Sequence, residues 1–233
     1  MALPRLNETP KYELIVPSSE QKVRFRPYLV KEEKVLMMAM ESKDQKQALN
    51  AVVDTILACV SEDINKSKLN VFDIEYMFLM IRSKSVGESS EVTIKCTECG
   101  HTNSVIIHLD DIPVPKIEHD GNIEISDEIS LTMEYPVWTD MLEMDDTKSE
   151  TEQTFDLIAA CMRVLTTKDD RYELRDESKE EIQNFIDSLS TNQFDKIREF
   201  IERMPRLEKE VKFICESCGE ENVVMLRGLD DFF

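Results

Sequence analysis

The sequence has 233 residues, 41% of them apolar, and this length suffices to bury a hydrophobic core. Acidic residues number 48 against 28 Lys and Arg, which gives a formal net charge of -20 at pH 7. Because this charge repels phosphate backbones and anionic head groups, nucleic acid and membrane surfaces are poor partners. No stretch approaches the roughly 18 consecutive apolar residues that a membrane-spanning helix needs.

The chemistry expected of the cysteines depends on whether the compartment in which the chain is made is reducing. The first ten residues lack the pattern of a signal peptide, so we expect synthesis in a reducing cytoplasm. There, six cysteines favour metal binding or redox chemistry over structural disulfides.

The N-terminal part predicts a hairpin followed by helices. Apolar residues alternate with polar ones over residues 12–16 and 23–25, on either side of a Pro-Ser-Ser break, which favours two paired strands. Helical spacing then recurs near residues 31–40, over 49–60, and over 74–81 after the N-cap candidate Asn70.

Beyond Pro113 and Pro115 the pattern changes. Alternation from Ile129 to Tyr135 predicts a second strand pair, and helical stripes cover residues 155–162, 182–189 and 194–204. The acidic, aperiodic stretch 144–152 predicts a linker between residues 1–143 and residues 144–233. Helices and short antiparallel strands without regular alternation indicate an α+β fold.

Two stretches repeat a Cys-x-x-Cys-Gly motif, each copy of which we call a knuckle. Residues 95–100 read KCTECG, and residues 214–219 read ICESCG. Asn103 and Asn222 each lie four residues after the second cysteine, and apolar strand patterns flank both copies. The repeat continues into two similar tails, LDDI at 109–112 and LDDF at 229–232. Each copy is therefore predicted to form strand, knuckle and strand.

The knuckles predict one structural zinc ion. Two thiolates separated by two residues reach adjacent corners of a tetrahedron at about 2.3 Å from the metal, and a closed site needs four ligands. The prediction is a split zinc ribbon in which both knuckles share one ion and so join the two halves of the chain. Its ligands are Cys96, Cys99, Cys215 and Cys218.

Two other interpretations of these residues remain open. Either CxxC pair could serve as a redox dithiol, although two glycine-followed copies with matching flanks favour zinc. His101 follows the first knuckle directly, but its counterpart in the second copy is Glu220, so we interpret it as an exposed polar residue. His108 and His119 have no visible partners in the sequence.

Catalytic motifs are absent from the sequence. None of the five glycines belongs to a phosphate-binding loop, a dinucleotide-binding turn or a nucleophile elbow, so we expect no enzyme. Cys59 and Cys161 fall on apolar helix faces and are expected in the core. The twelve methionines are also expected to fill the core, and the two terminal phenylalanines to fold back or to anchor in a neighbour.

Three further stretches carry a family resemblance. Residues 3–10, residues 25–34 (FRPYLVKEEK) and residues 81–88 (IRSKSVGE) resemble the baseplate hub subunit family of T-even-type contractile-tailed bacteriophages, and the likeness covers most of the chain. The resemblance implies a non-enzymatic component or assembly protein of the virion's tail baseplate, assembled in the host cytoplasm with other hub proteins as partners. Retention in the finished particle and homo-oligomer formation stay open.

Two functions from other classes compete with this interpretation. A zinc-ribbon adaptor in transcription or replication is a common use of paired CxxCG motifs, but the net charge of -20 argues against it. A cytoplasmic dithiol oxidoreductase would need a lowered thiol pKa and an accessible sulfur.

Overall fold

The computed structural model describes residues 9–42, 44–117, 120–145 and 147–232. Within these residues the chain divides into two compact units. The first unit comprises the described residues among 1–116 and 206–233, and the second comprises those among 117–205. Helices and small antiparallel sheets make up both, so the expected α+β class is confirmed.

The N-terminal part of the first unit forms the predicted hairpin and helices. Strands β1 (Tyr12–Ile15) and β2 (Lys22–Phe25) pair antiparallel. Helices α1 (Val30–Glu41), α2 (Gln45–Cys59) and α3 (Val71–Ser85) follow. At the start of α3 the Asp73 carboxylate accepts the backbone N–H of Asn70, so the helix begins where the sequence indicated.

The two knuckles sit at the tips of two matching hairpins in the first unit. Strands β3 (Ser89–Lys95) and β4 (Thr102–His108) form the first hairpin, and a 3-10 turn over Leu109–Asp111 follows. The second hairpin and its turn repeat this order over β9 (Glu208–Ile214), β10 (Glu221–Arg227) and Leu229–Phe232. The inward side chains of both hairpins join one apolar cluster with α3, so the strand, knuckle, strand prediction is confirmed.

The second unit differs from the expected strand pair. Its sheet has four antiparallel strands: β5 (Asn122–Ser126), β6 (Ile129–Met133), β7 (Met162–Thr166) and β8 (Arg171–Glu173). The helices of this unit are α4 (Trp138–Glu143), α5 (Glu150–Cys161), α6 (Lys179–Asp187) and α7 (Thr191–Glu202). The predicted helical stripe ran one residue into β7, because no glycine or proline separates α5 from that strand.

The boundary expected between residues 143 and 144 lies inside the second unit, between α4 and α5. The expected linker 144–152 also contains the first turn of α5. The first unit is discontinuous because its apolar cluster takes side chains from both hairpins, for example Val92 and Val211.

Burial confirms some core expectations and corrects another. Cys59 and Cys161 are buried, and Phe232 packs into its own unit; Phe233 and His119 lie outside the described residues. Met37, Met38 and Met40 are exposed on α1, so their assignment to the core was wrong. Helix α1 carries apolar residues on both faces, and only the face with Leu36 and Ala39 is covered.

Candidate metal centre

Each knuckle is a tight turn held by its own backbone. The N–H of Cys96 donates to the carbonyl of His101 at 2.8 Å, and the N–H of Gly100 donates to the carbonyl of Cys96 at 3.0 Å. The second knuckle repeats both bonds. Gly100 and Gly219 have φ of 70° and 75°, a left-handed conformation that glycine adopts without steric cost. A Cβ at either position would meet nothing within 4 Å, so the requirement for glycine is conformational.

The four knuckle sulfurs converge. The Sγ atoms of Cys96 and Cys218 lie 3.7 Å apart, those of Cys99 and Cys215 lie 3.6 Å apart, and all four fall within 4.8 Å of one another. Both of these contacts join one knuckle to the other. In each knuckle the first cysteine is buried and the second is exposed.

These distances fit one tetrahedral metal ion. Four metal–sulfur bonds of about 2.3 Å place neighbouring sulfurs about 3.8 Å apart, close to the observed separations. A disulfide would need about 2.05 Å, and all four cysteines are free thiols. Four sulfur donors match the ligand preference of soft or borderline cations and leave no open position for a substrate.

Two asparagines tie the knuckles together. Asn103 accepts the backbone N–H of Glu216 at 2.9 Å, and Asn222 accepts the backbone N–H of Thr97 at 2.9 Å. Each asparagine therefore bonds to the knuckle of the other hairpin. Each also donates to a backbone carbonyl of its own hairpin, that of His101 for Asn103 and that of Glu220 for Asn222. The Nδ2 of Asn222 additionally lies 3.4 Å from the Sγ of Cys96. Both side chains are buried, so the interaction fixes one relative placement of the four sulfurs.

The local electrostatics favour thiolates at the two buried cysteines. The backbone N–H of Cys99, aided by that of Glu98 and the amide of Asn222, lowers the pKa of Cys96 to about 6. The backbone N–H of Cys218 likewise lowers the pKa of Cys215.

Cys218 shows the opposite shift. The backbone N–H of Glu220 lowers its pKa, but the neighbouring thiols, Cys99 first among them, and burial together raise it to about 12. Four sulfurs this close repel as thiolates, and a bound dication would offset that repulsion.

The structure brings together all four cysteines that the sequence singled out, and no other His, Cys, Asp or Glu in the described ranges joins the group. His101 is exposed, as expected for a non-ligand. The sequence had shown the two asparagines as part of the repeat, but their role appears only when the hairpins face each other. The sequence signal for this role is that the two asparagines are 119 residues apart, the same spacing that separates the equivalent cysteines of the two knuckles.

Comparison with known proteins gives one match. A family model described as T4 bacteriophage base plate protein matches residues 9–233. No curated protein and no solved structure matches the chain. Among the described residues, none of the helices has the length and apolar character required to cross a membrane.

Proposed function

This chain belongs to the T4 bacteriophage base plate protein family, and on that premise we propose that it is a non-enzymatic structural or assembly component of the baseplate hub. A baseplate protein is a structural part of the phage tail and interacts with other baseplate proteins. The proposal adds the central hub as its location and protein interfaces as its means of action. The family match over residues 9–233 supports the baseplate part of the proposal, and the resemblance of residues 25–34 and 81–88 to hub subunits supports the hub location.

The proposed role of the metal is structural. Cys96, Cys99, Cys215 and Cys218 would hold one zinc ion through four thiolates, and the ion would clamp the two hairpins of the first unit. The closure of the site supports this role, because four protein ligands leave no position for water or substrate. A clamped scaffold offers rigid surfaces to neighbouring proteins.

The redox alternative has less support. A CxxC dithiol needs only the two cysteines of one motif, whereas here the contacts of 3.7 Å from Cys96 to Cys218 and 3.6 Å from Cys99 to Cys215 bring the two motifs together. The lowered pKa of Cys96 is compatible with a thiolate in either role. Metal content separates the two functions.

The metal is tested by elemental mass spectrometry of the purified full-length chain, alongside a Cys96→Ser, Cys215→Ser variant. We expect about one zinc per chain and its loss in the variant. Cys59→Ala is the matched control, because that cysteine is buried outside the cluster. Two zinc ions would indicate separate sites, and thiols that oxidise within one motif without any metal would favour the oxidoreductase.

The baseplate role is tested in infected cells. Interrupting synthesis of the chain should block baseplate assembly, and supplying the chain separately should restore it. Mass spectrometry of finished particles and of assembly intermediates then distinguishes a retained hub subunit from an assembly factor. Normal baseplates formed without the chain would exclude the proposed function.

A further inference from the structure

The outer faces of the two hairpins differ although their backbones match. In the first hairpin Lys95 pairs with Thr102, and in the second the equivalent Ile214 pairs with Glu221 in the same register. Ser104 of the first hairpin corresponds to Val223 of the second. Because the first hairpin has the same register with Lys95 and Ser104, the shared fold does not require apolar residues at these two positions.

The second hairpin nevertheless exposes an apolar face. Ile214 is 69% exposed, Val223 is 54% exposed and Met225 is 41% exposed. Val223 and Met225 are two residues apart on one strand, and Ile214 lies diagonally across from Val223. We define the outer face of the second hairpin as these three residues together with their charged cross-strand partners, Glu221, Lys212 and Glu210. Solvated apolar side chains grouped on a rigid sheet are typical of a protein-binding surface.

The charges beside this face indicate the chemistry of its partner. Lys212 and Arg227 pair with glutamates of their own hairpin at 3.1 and 3.7 Å. Three exposed glutamates at the knuckle end form no ion pair with any residue in the described ranges: Glu216, Glu220 and Glu221. The knuckle of the first hairpin instead mixes Lys95 and His101 with its single glutamate, Glu98.

We propose that the outer face of the second hairpin docks a different protein whose surface presents apolar side chains beside lysines or arginines. This inference rests on the proposed function, because it names the surface through which the chain would meet a baseplate neighbour. A second copy is disfavoured as occupant, since a chain with a net charge of -20 brings further negative charge to the three glutamates. Opposite charges at the rim favour the basic partner and make its binding weaken with salt.

The test places a photo-cross-linking amino acid at Met225, or at the equivalent Ile106, in full-length chain made in infected cells. Ile106 is also exposed, so it is a matched control. We expect Met225 to cross-link to another baseplate protein, through a segment with Lys or Arg beside apolar residues. We expect no such product from Ile106.

A second arm changes the face itself. Ile214→Lys with Val223→Ser installs the residues of the first hairpin, and it should lower the Met225 cross-link at least tenfold. Lys95→Ala with Ser104→Ala on the first hairpin is the control and should leave the yield unchanged. Metal content and thermal unfolding of both variants establish that the fold persists.

The remaining outcomes separate this inference from the proposed function. Equal products from Met225 and Ile106, or a product only with a second copy, would overturn the inference. Absence of any product while the chain enters baseplates overturns it as well, and leaves the baseplate role intact. If the wild-type chain neither enters baseplates nor supports their assembly, the proposed function fails and the inference fails with it.

Discussion

The first and second hairpins have the same backbone structure but present different side chains. They share strand register, knuckle hydrogen bonds, an asparagine that bonds to the other knuckle, and a closing 3-10 turn. They differ in the side chains that face outward and in the residues of α3 that lie near the LDDI and LDDF tails. The shared features are those that bring four sulfurs together, whereas the differing ones are free to serve neighbours.

The tails show the second difference at α3. Asp110, after the first hairpin, forms an ion pair with Lys84 at 2.6 Å and accepts from Ser83. Glu75 of the same helix has a raised pKa, first because it is buried and second because of the negative charge of Asp230, after the second hairpin. The aspartate after the first hairpin therefore meets a positive charge at one end of α3, whereas the aspartate after the second hairpin lies near a carboxyl group at the other end.

Loss of the proposed metal ligands should have the largest effect on the two hairpins. Structural zinc sites supply about 10 to 16 kcal/mol of apparent binding free energy, which is comparable with the whole stability of a domain. We expect Cys96→Ser with Cys215→Ser to unfold both hairpins. Hydrogen exchange should show lost protection over residues 89–108 and 208–227.

The Cys59→Ala variant controls for the loss of a buried thiol elsewhere in the first unit. It should retain the metal and keep both hairpins protected from exchange. Protected hairpins in the double serine variant would mean that apolar packing alone holds the two copies together.

The two asparagines provide the next largest effect and should differ from each other. Asn222 accepts from both the N–H and the hydroxyl of Thr97 and also reaches the Sγ of Cys96, while Asn103 makes fewer bonds. Truncation removes these hydrogen bonds, each of which contributes about 0.5 to 1.5 kcal/mol. We expect Asn222→Ala to cost about 3 kcal/mol and Asn103→Ala about 2 kcal/mol in denaturant unfolding at fixed metal concentration.

Competition with a coloured zinc chelator should rank the same two variants. Residues that orient metal ligands typically change affinity by about 10- to 100-fold, and Asn222→Ala should lie nearer the upper limit. Equal losses of stability and affinity in the two variants would show that the extra contacts of Asn222 contribute nothing.

The sequence predicted the features that depend on local spacing. The Cys-x-x-Cys-Gly repeat specified both hairpins and the grouping of four cysteines, and apolar periodicity specified α1, α2 and α3. It predicted a strand pair in the second unit but missed strands β7 and β8, because β7 follows α5 directly and β8 consists of three exposed residues without alternation. A strand of that kind is specified by its neighbours in the sheet and has little local signal.

Two features of the first unit could not follow from local spacing either. The bonds that Asn103 and Asn222 make arise only when hairpins distant in sequence face each other. The exposure of Met37, Met38 and Met40 depends on which face of α1 is covered, and a helix that is apolar on both sides leaves that choice open.

The raised pKa of Glu75 predicts an effect of pH on stability that is intermediate in size. Burial first, then Asp230, raises the pKa of Glu75 to about 7, and Arg206 partly offsets the rise. A carboxyl group whose pKa is higher in the folded chain stabilises the fold at low pH and loses that contribution as pH rises through about 7. The contribution of Glu75 to the stability of the wild type should therefore decline between about pH 5 and pH 7.

Glu75→Gln removes the titrating group while keeping its shape. At pH 8 the variant should be more stable than the wild type by on the order of 2 to 3 kcal/mol, and near pH 4.5 the two should converge. Denaturant unfolding across this range provides the measurement. Glu180→Gln, an exposed position on α6, is the control and should run parallel to the wild type. A parallel curve for Glu75→Gln would show that the pKa of Glu75 is not raised in the folded chain.

Exchange of the outward residues should have the smallest effect on stability. Ile214→Lys with Val223→Ser, and the reverse exchange Lys95→Ile with Ser104→Val, alter exposed positions that contribute little to the core. Each exchange should change the unfolding free energy by no more than about 0.5 to 1 kcal/mol, the span of strand propensities. Val92→Ser on the covered side of the first hairpin is the contrast and should cost about 2 kcal/mol or more, because that side chain is buried. If the outward exchange proved as costly as Val92→Ser, the apolar residues of the second hairpin would belong to its fold, and a partner would no longer be needed to explain them.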